Sequence, residues 1–593
     1  MVTSSYHEGD GEAVHAPHAA PALGAYNRRS SDSYSSRTRP LSSSGVLQSG
    51  SNSKQAVRGE ESQDTEKANE TASSDSQPSE EQSPPSATGE KGGAGPAAAD
   101  PNLVTWDGPD DPANPQNWST FKKWQVILVA SSCSLCVTNN SSIVASNYEP
   151  IEADFGISRT VAILGLSLFV TGLGLGPLFL GPFSEAYGRR PIYLISFALF
   201  TLFQLPVAFA NHAAIFLVFR FLVGMAGSAF LSVAGGTVVD MFNPYYLFPP
   251  MVSGMRAVDT LRHLPGFALT FLSSPSAQCV YTASPFGGPA LGPLIGDFIV
   301  AYKSWHWVWY VTMMWSGFQY LLIVFFAPET YGPKLLTQRA RKLRKETGNE
   351  KLYSAHEETR RNQEWWPTMK STLSTVPMLL IREPMLLALC LWSALLLGIL
   401  YAFFQAYPIV FTEQHGFSST QTGLAFLGQT TGIALALCTV PFWSKLYQKA
   451  AHKHGGVAPP EERLPMCMVG AFLTVIGLFI FAFTSYPSVH WSGPVVGSVF
   501  FGSGVLFIYA GVFTYTSNCW KPVAASAMAA NSLVRSSFAA ALPLFTTPMY
   551  EAMGTDGATA FLAGLNVLMI PIPFVLYKYG ARIRARSSYT MQP

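Results

Sequence analysis

The sequence predicts an all-α membrane protein in which twelve helices cross the bilayer. Three observations predict this class. The chain of 593 residues is 48% hydrophobic and only 12% charged, which is a low charge content for a soluble domain. Nearly all of its apolar residues lie after Trp124, in runs of the roughly 20 residues that a helix needs to cross the hydrocarbon core. Lysine and arginine are concentrated in alternate loops, which is typical of a multi-pass membrane protein.

Residues 1–105 precede the apolar runs and contain no Ile and no Phe. They are rich in Ser, Glu, Gly, Pro and Ala, and such a segment cannot bury enough apolar surface to offset its chain entropy. The start of the chain also lacks the apolar core of a cleavable signal peptide. We therefore predict a disordered cytoplasmic tail at 1–105.

The predicted spans are numbered 1 to 12 in chain order. They lie at 124–146, 161–180, 191–210, 214–238, 285–303, 307–327, 385–411, 422–444, 465–484, 492–515, 523–548 and 557–577. Leaving aside the segment between spans 4 and 5, the regions on the side of the termini carry 24 Lys and Arg, and the six loops on the other side carry two. Because basic residues in short loops stay in the cytoplasm, both termini are predicted to be cytoplasmic.

The loop at 332–384 separates six spans within 106–331 from six within 385–580, and a tail of 581–593 follows. Its first part, Pro333-Lys334-Leu335-Leu336, precedes five basic residues up to Lys345. This pattern favours an amphipathic helix on the anionic inner leaflet. A helix that binds a protein partner would have the same pattern.

A short charged hairpin joins spans 2 and 3. It contains Gly181, Glu185, Gly188, Arg189 and Arg190, a spacing that resembles the signature of the major facilitator superfamily. Glycines let two helices approach closely, and Glu185 and the arginines can pair with charges or helix ends when an inner gate closes. The alternative is a basic loop that only fixes topology.

Further motifs resemble fungal twelve-span drug:proton antiporters of that superfamily. They are Asn114-Pro115-Gln116-Asn117-Trp118-Ser119 before span 1, Pro460-Glu461-Glu462-Arg463-Leu464 before span 9, and Lys578-Tyr579-Gly580 after span 12. The resemblance covers residues 112–584 apart from the segment between spans 4 and 5. It implies two six-helix halves around a midplane cavity, which open alternately to the two sides of the membrane.

Three ionisable residues within spans are candidates for proton coupling, because charge inside a bilayer is costly. Arg220 in span 4 resembles the family's second signature, an arginine linked to proton movement; alternatively it is a structural partner of the polar residues in span 1. Arg535 in span 11 holds a comparable place in the second half, or it reaches towards water. The third is Asp297 in span 5.

Span 5 also resembles the antiporter signature of the superfamily, through Gly288, Pro289, Gly292, Pro293 and Gly296. Repeated glycines and prolines give a kinkable helix with a smooth face that can seal against a neighbour. Asp297 departs from the family pattern, which ends in glycine. We hold two hypotheses for it: an additional proton or cation site facing the cavity, and local damage to the seal.

Aromatic and amide side chains in the spans are candidates for the wall of a substrate cavity, since aromatic faces suit large amphiphilic or cationic ligands. The alternative is helix packing or an interfacial belt. The candidates are Asn139 and Asn140 in span 1, Tyr401, Phe404, Gln405 and Tyr407 in span 7, Gln429 in span 8, Tyr509 and Phe513 in span 10, and Asn531 in span 11.

The connection between spans 4 and 5 is longer than in the resembling family. Removing 252–278 restores an ordinary family sequence, and these 27 residues keep the reading frame. The segment starts with Val, encoded by GT-, and ends with Gln, which CAG can encode. We therefore hypothesise a retained intron or a splice variant. The alternative is a cytoplasmic insertion in the functional protein.

A net charge of +2 gives no indication of nucleic-acid binding, and no catalytic, cofactor or metal-binding constellation appears. We predict a monomeric transporter rather than an enzyme, located in the plasma membrane or in a vacuolar or vesicular membrane. Its predicted function is proton-coupled efflux of a small amphiphilic or cationic compound: a secondary metabolite, toxin, glycolipid or drug. Alternatives are a polyamine exporter, a nutrient importer and a non-transporting sensor.

Overall fold

The structure is a computed structural model that describes residues 100, 102–242, 274–361, 365–454, 458–587 and 589. Nearly all of the tail predicted at 1–105 lies outside the described residues, and so does 252–273 of the hypothesised insertion. The remaining residues of that insertion, 274–278, form the first turn of a helix.

Ten helical segments among the described residues are long and apolar enough to cross a membrane. They are Thr120–Phe155, Arg159–Tyr187, Arg189–Ala208, Ala213–Met241, His306–Phe326, Pro384–Gln414, Ser419–Lys453, Pro460–Thr484, Ser492–Cys519 and Ala524–Arg584. The last holds spans 11 and 12, because Gly554 interrupts its helix with φ 75° and ψ 164°. Span 5 is the helix Ser274–Tyr302. It is not among these ten, because its glycines, three prolines and Asp297 make it less apolar than they are. The twelve-span prediction is therefore confirmed.

Local sequence explains several helix ends. The Ser119 hydroxyl accepts a hydrogen bond from the Lys122 N–H and caps span 1, and Ser418 and Gln421 form a capping box that starts span 8. Span 2 ends at Gly188, whose φ of 96° favours a residue without a Cβ. Because span 3 begins at Arg189, the two spans are antiparallel neighbours.

Spans 1–6 form one half of the molecule and spans 7–12 the other. The halves meet along two seams: span 2 packs against span 11, and span 5 packs against spans 8 and 10. The space between the seams is where a cavity can form.

The segment before span 1 packs on the loop between the halves. Val104 donates a backbone hydrogen bond to the Tyr353 carbonyl (2.8 Å), and Tyr353 donates one to the Asn102 carbonyl (2.9 Å). Arg339 pairs with both Asp107 and Asp111. We call these contacts the clasp. Its backbone pairing begins at Asn102, inside the range that composition assigned to the tail.

The described residues of the loop between the halves form the helices Gly332–Thr347, Ala355–Arg361 and Trp365–Arg382. The first is the predicted basic amphipathic helix, but part of its charge faces protein. Arg344 bonds Glu357, which lowers the pKa of that carboxyl. In the third helix, Val376 packs with Leu178 of span 2 and Ala529 of span 11, so this helix touches both halves.

Candidate functional site

A cavity of about 740 Å³ lies between the two halves. Its mouth is at the end of the bundle that carries the Gly188 turn, where the exposed side chains of Glu185 and Lys521 line it. Its walls combine polar groups with aromatic rings, among them Tyr281, Trp443 and Phe513. A space of this size and composition suits a small amphiphilic molecule.

The halves are in direct contact at the opposite end of the bundle. The Ser141 and Tyr401 hydroxyls, from spans 1 and 7, hydrogen-bond at 2.7 Å. The Ser167 hydroxyl of span 2 donates to the Ala540 carbonyl of span 11, also at 2.7 Å. We call this region the seal. The cavity is thus accessible from one end of the bundle and closed at the other.

The Gly188 turn is fixed by one acidic side chain. Glu329, just after span 6, accepts hydrogen bonds from the backbone N–H of Arg189 (2.9 Å) and of Arg190 (3.3 Å). The Arg189 side chain is buried and donates to Asp240 Oδ2 (3.1 Å) and to Ser184 Oγ (2.6 Å). Spans 2, 3 and 4 and the residue after span 6 therefore converge on this turn.

The predicted gate residues differ in their environments in this conformation. Arg189 is engaged in the interior, whereas Arg190 is exposed and donates to the Val324 carbonyl (3.2 Å). Glu185 lines the cavity and forms no ion pair with any described residue. A Cβ at Gly181 would meet nothing within 4 Å among the described atoms, so Gly181 forms the cavity wall here rather than a close helix contact.

The second half has its own buried ion pair at the same end. Arg584 donates to both Glu461 oxygens at 2.9 Å, and both side chains are buried. Each of these ion pairs, Arg189–Asp240 and Arg584–Glu461, joins residues of a single half. Neither pair holds the halves together, which agrees with the open mouth.

Arg220 is fully buried and saturated with hydrogen bonds. Its guanidinium donates to the Gly165, Asn140 and Ser141 carbonyls (3.0, 2.9 and 3.1 Å) and to the Asn140 side-chain oxygen (2.7 Å). It also lies 4.4 Å from the Phe169 ring centroid. Arg220 does not line the cavity, and its contacts correspond to the structural alternative, a partner of the polar part of span 1.

Arg535 lies between the main cavity and a small pocket of about 20 Å³ that borders the seal, and it lines both. Its side chain is only 8% exposed, and its Nε has no hydrogen-bond partner among the described residues. Two aromatic rings lie beside it: the guanidinium carbon is 5.4 Å from the Phe513 centroid and 5.8 Å from that of Tyr509. Arg535 thus lines the cavity, and its Nε has no acceptor among the described residues.

The glycines of span 5 bring its backbone against span 1. A Cβ at Gly288 would lie 2.7 Å from the Leu135 carbonyl oxygen, one at Gly292 2.9 Å from the Ile143 nitrogen, and one at Gly296 2.5 Å from Ser146 Oγ. The same hydroxyl donates to the Pro293 carbonyl at 3.2 Å. The glycine face of span 5 therefore packs directly on span 1, and Pro289 lies within the same helix.

Asp297 is not among the residues that line the cavity. It lies near the end of span 5 that is away from the cavity mouth, where it packs on the bare backbone of Gly423 in span 8: a Cβ at Gly423 would come 2.8 Å from Asp297 Oδ2. The hypothesis of a cavity-facing site therefore does not describe this conformation. Glycine on the facing helix makes room for the carboxylate at this contact.

The predicted cavity wall is only partly the observed one. Phe513 and Asn531 line the main cavity and Tyr401 lines the small pocket. The others are buried in helix packing: Asn139, Asn140, Phe404, Gln405, Tyr407, Gln429 and Tyr509 are all at most 3% exposed. Tyr407, for example, stacks on Phe426 at 4.0 Å. The alternative interpretation, packing, describes these seven residues in this conformation.

Sequence reasoning missed most of the mouth. Tyr281, Asp240, Trp443, Tyr447 and Arg463 line the cavity but were not singled out as its residues. Arg463 lies in the Pro460–Leu464 motif, and its guanidinium carbon sits 3.4 Å from the Tyr447 ring centroid. A charged residue directly before an apolar run was the available signal, but positive charge there also fits a topogenic loop.

Comparison with known proteins gives related sequences that align over most of this chain. A protein named Efflux pump atB from Aspergillus terreus is 38% identical over 493 residues, which cover 82% of this chain and 90% of that protein. The Probable drug/proton antiporter YHK8 of Saccharomyces cerevisiae is 37% identical over 484 residues, covering 81% and 89%. The Citrinin biosynthesis cluster MFS transporter mrr1 of Monascus ruber is 36% identical, covering 84% and 94%.

Solved structures show the same fold. A structure of the proton:xylose symporter XylE bound to 6-bromo-6-deoxy-D-glucose matches with a TM-score of 0.53 at 14% identity, covering 78% of this chain and 96% of that one. The family model described as Major Facilitator Superfamily matches residues 130–543. With twelve spans in two halves around a one-sided cavity, the chain belongs to the major facilitator superfamily of secondary transporters.

Proposed function

We propose that this protein exports small amphiphilic compounds, such as secondary metabolites or drugs, in exchange for protons. The observation that carries the proposal is the cavity of about 740 Å³ that is open at one end of the bundle and closed at the other. An alternating-access transporter needs such a one-sided cavity and halves that can rock about it. The relatives named as efflux pumps and as a drug/proton antiporter support the direction and the coupling ion.

We further propose that the Gly188 turn and both termini face the cytoplasm of the plasma membrane. The distribution of Lys and Arg over the loops supports this orientation. The conformation is then inward-facing, with the mouth ready to take substrate from the cytoplasm. Release requires the seal to open, so Ser141–Tyr401 and the Asp297–Gly423 contact must separate in the outward-facing state.

Transport in vesicles tests export directly. Inside-out plasma-membrane vesicles that contain the protein are acidified inside and given fluorescent amphiphiles of both charges and of none: fluorescein, rhodamine 6G and Nile red. We expect accumulation of at least one dye, which a protonophore abolishes. Right-side-out vesicles of the same membrane are the matched control. Accumulation that survives the protonophore, or that runs inward in intact cells, contradicts the proposal.

The sensor alternative is tested by removing the tail. A chain that starts at residue 100 keeps the clasp and all twelve spans. If transport is the function, this truncated protein exports at the full-length rate in the same vesicle assay. Loss of export at an unchanged amount of folded protein would instead assign the essential activity to the tail.

A further inference from the structure

We propose that the cavity recognises organic acids: its substrates carry a carboxylate that binds Arg535 and a neighbouring hydroxyl or N–H donor that binds Asn531. This inference rests on the proposed export function and names the chemistry of its cargo. It replaces the expectation of a cationic ligand, which was based on aromatic residues alone.

The first step compares how deep in the cavity the acidic and the basic lining residues lie. The acidic residues that line the cavity lie at helix ends near the mouth: Glu185 is the third residue from the end of its helix, Asp240 is the last but one, and Glu462 precedes span 9. Arg535 lies eleven residues into the helix that begins at Ala524, which is about 16 Å along its axis. Of the described lining residues, the charge deepest in the cavity is therefore positive.

The second step asks whether Arg535 has an ion-pair or hydrogen-bond partner in the protein. Arg535 has no carboxylate within ion-pair distance among the described residues, and two aromatic rings are its neighbours. Cation–π contacts offset part of the cost of burying a guanidinium, but an N–H group without an acceptor remains costly. A ligand carboxylate supplies the missing acceptor, and a planar guanidinium binds it in a forked geometry.

The third step is Asn531, which lies one helical turn before Arg535 and lines the same cavity. It is 1% exposed. Its amide nitrogen donates to Ser393 Oγ at 2.8 Å, while its Oδ1 has no partner among the described residues. The orientation of the amide follows from the network, because the Ser393 hydroxyl already donates to the Cys390 carbonyl at 3.0 Å. Oδ1 is therefore an acceptor that the described residues leave unpaired on a side chain that lines the cavity.

The fourth step is the overall charge of the cavity. Five Lys or Arg and three Asp or Glu are among the described residues that line it. Asp240 neutralises Arg189, and Glu461, which does not line the cavity, neutralises Arg584. Three Lys or Arg and two Glu of the lining then remain, so the excess is one positive charge. Such a cavity attracts anions and repels polyamines. The Phe513 and Tyr281 rings supply flat apolar surface beside the charged group.

Binding of one ring scaffold in three charge states tests the proposal. The probes are 4-hydroxyphenylacetate, 4-hydroxyphenylacetamide and tyramine, which share a hydroxyphenyl ring and carry a carboxylate, a neutral amide and an amine. Binding to the full-length protein in lipid nanodiscs is measured by isothermal titration calorimetry without a proton gradient. We expect the acid to bind at least tenfold more tightly than the amide, and the amine to bind most weakly. Equal affinities, the reverse order or no binding of the acid overturns the proposal.

Variants assign the effect to the two residues. Arg535→Gln should weaken binding of the acid at least tenfold and binding of the amide less than twofold, whereas Arg535→Lys retains the order of the probes. Arg341→Gln removes the same charge from an exposed position in the central loop and should change neither. Phenylacetate, which lacks the ring hydroxyl, should bind the wild-type protein more weakly than 4-hydroxyphenylacetate. Asn531→Ala should remove this difference in affinity. An Arg535→Gln protein that unfolds at the wild-type temperature and keeps the acid preference contradicts the assignment.

The binding and vesicle experiments can contradict the two proposals independently. A preference for the acid without proton-driven export contradicts the proposed function and retains the organic-acid site. Export of dyes without any preference for the acid retains the function and overturns the inference about its cargo.

Discussion

Two buried arginines, one in each half, show opposite relations to their surroundings. Arg220 gives four hydrogen bonds to oxygens of spans 1 and 2 and lies outside the cavity. Arg535 has an Nε without a described acceptor and lies on the cavity wall. The same residue type thus has its hydrogen bonds supplied by the protein in the first half and lacks an acceptor among the described residues in the second. An arginine within a membrane span therefore has to be assigned from its hydrogen bonds, not from its presence.

Arg220 also has an indirect connection to the seal. Its Nη2 donates to the Ser141 carbonyl, and the Ser141 hydroxyl bonds Tyr401 of the other half. It therefore positions one side of the contact that must separate for release. Proton coupling through Arg220 stays a prediction, and these contacts identify a route by which a change at Arg220 could reach the seal.

The largest expected effect is on stability. Arg220→Met removes four buried hydrogen bonds to oxygens of Gly165, Asn140 and Ser141, and the loss should be about 3 kcal/mol or more. Arg535→Met removes a group with no described acceptor and should change the free energy of unfolding by less than about 1 kcal/mol. Thermal unfolding of both variants in the same nanodiscs measures the difference. Equal losses would end the distinction between the two arginines.

The next effect concerns the seal that Arg220 supports. In Gly423→Ala the new methyl group lies 2.8 Å from Asp297 Oδ2 and 3.2 Å from Leu294 Cα, and such overpacking costs about 1–3 kcal/mol. We expect the outward-open state to gain population, measured as faster alkylation of a cysteine at Leu294 from the outer side.

Asp297 provides the control for that effect. Asp297→Gly removes the carboxylate beside the new methyl group, so the double variant should recover the labelling rate of the protein with Gly423. Asp297→Gly alone also separates the two hypotheses for this residue. Normal proton-driven transport by this variant removes the proton-site hypothesis.

A smaller effect is expected for Tyr401→Phe. It deletes one neutral hydrogen bond between the halves, worth about 1 kcal/mol, so the outward-open population should rise about fivefold. Tyr407→Phe is the matched control, because the Tyr407 hydroxyl bonds Ser498 within the second half. The same alkylation assay measures both. An equal response of the two variants would show that the Ser141–Tyr401 bond does not hold the seal.

The smallest effect concerns charges outside the membrane. The backbone N–H groups of Ala113 and Asp107, and then Arg339, lower the pKa of Asp111. A lowered folded-state pKa contributes stability above the unfolded value of about 3.9, and this is lost as pH falls through the folded value. Hydrogen exchange at Val104 and Tyr353, corrected for intrinsic rates, should therefore be constant from pH 8 to about pH 4.5 and should rise below that. A rise between pH 8 and 6 would contradict this and make the clasp a pH sensor.

The number of spans, the Gly188 turn and the glycine face of span 5 could be predicted, because each depends on local properties. A bilayer demands about 20 apolar residues per helix, a φ of 96° favours glycine, and a glycine every four residues exposes backbone on one face of a helix. Each of these patterns lies within a short stretch of consecutive residues, so it can be recognised without knowledge of the tertiary packing.

The site could be predicted only in part. Tyr401 and Tyr407 are six residues apart in one helix, yet the first lines a pocket at the seal and the second stacks on Phe426. Asp297 is accommodated by a glycine 126 residues later in the chain. Arg220 and Arg535 cannot be told apart by sequence, because the oxygens that satisfy Arg220 are backbone carbonyls of two other spans. The sequence determined which residues enter the membrane, and only the packing of the helices decided which of them meet a partner and which face the cavity.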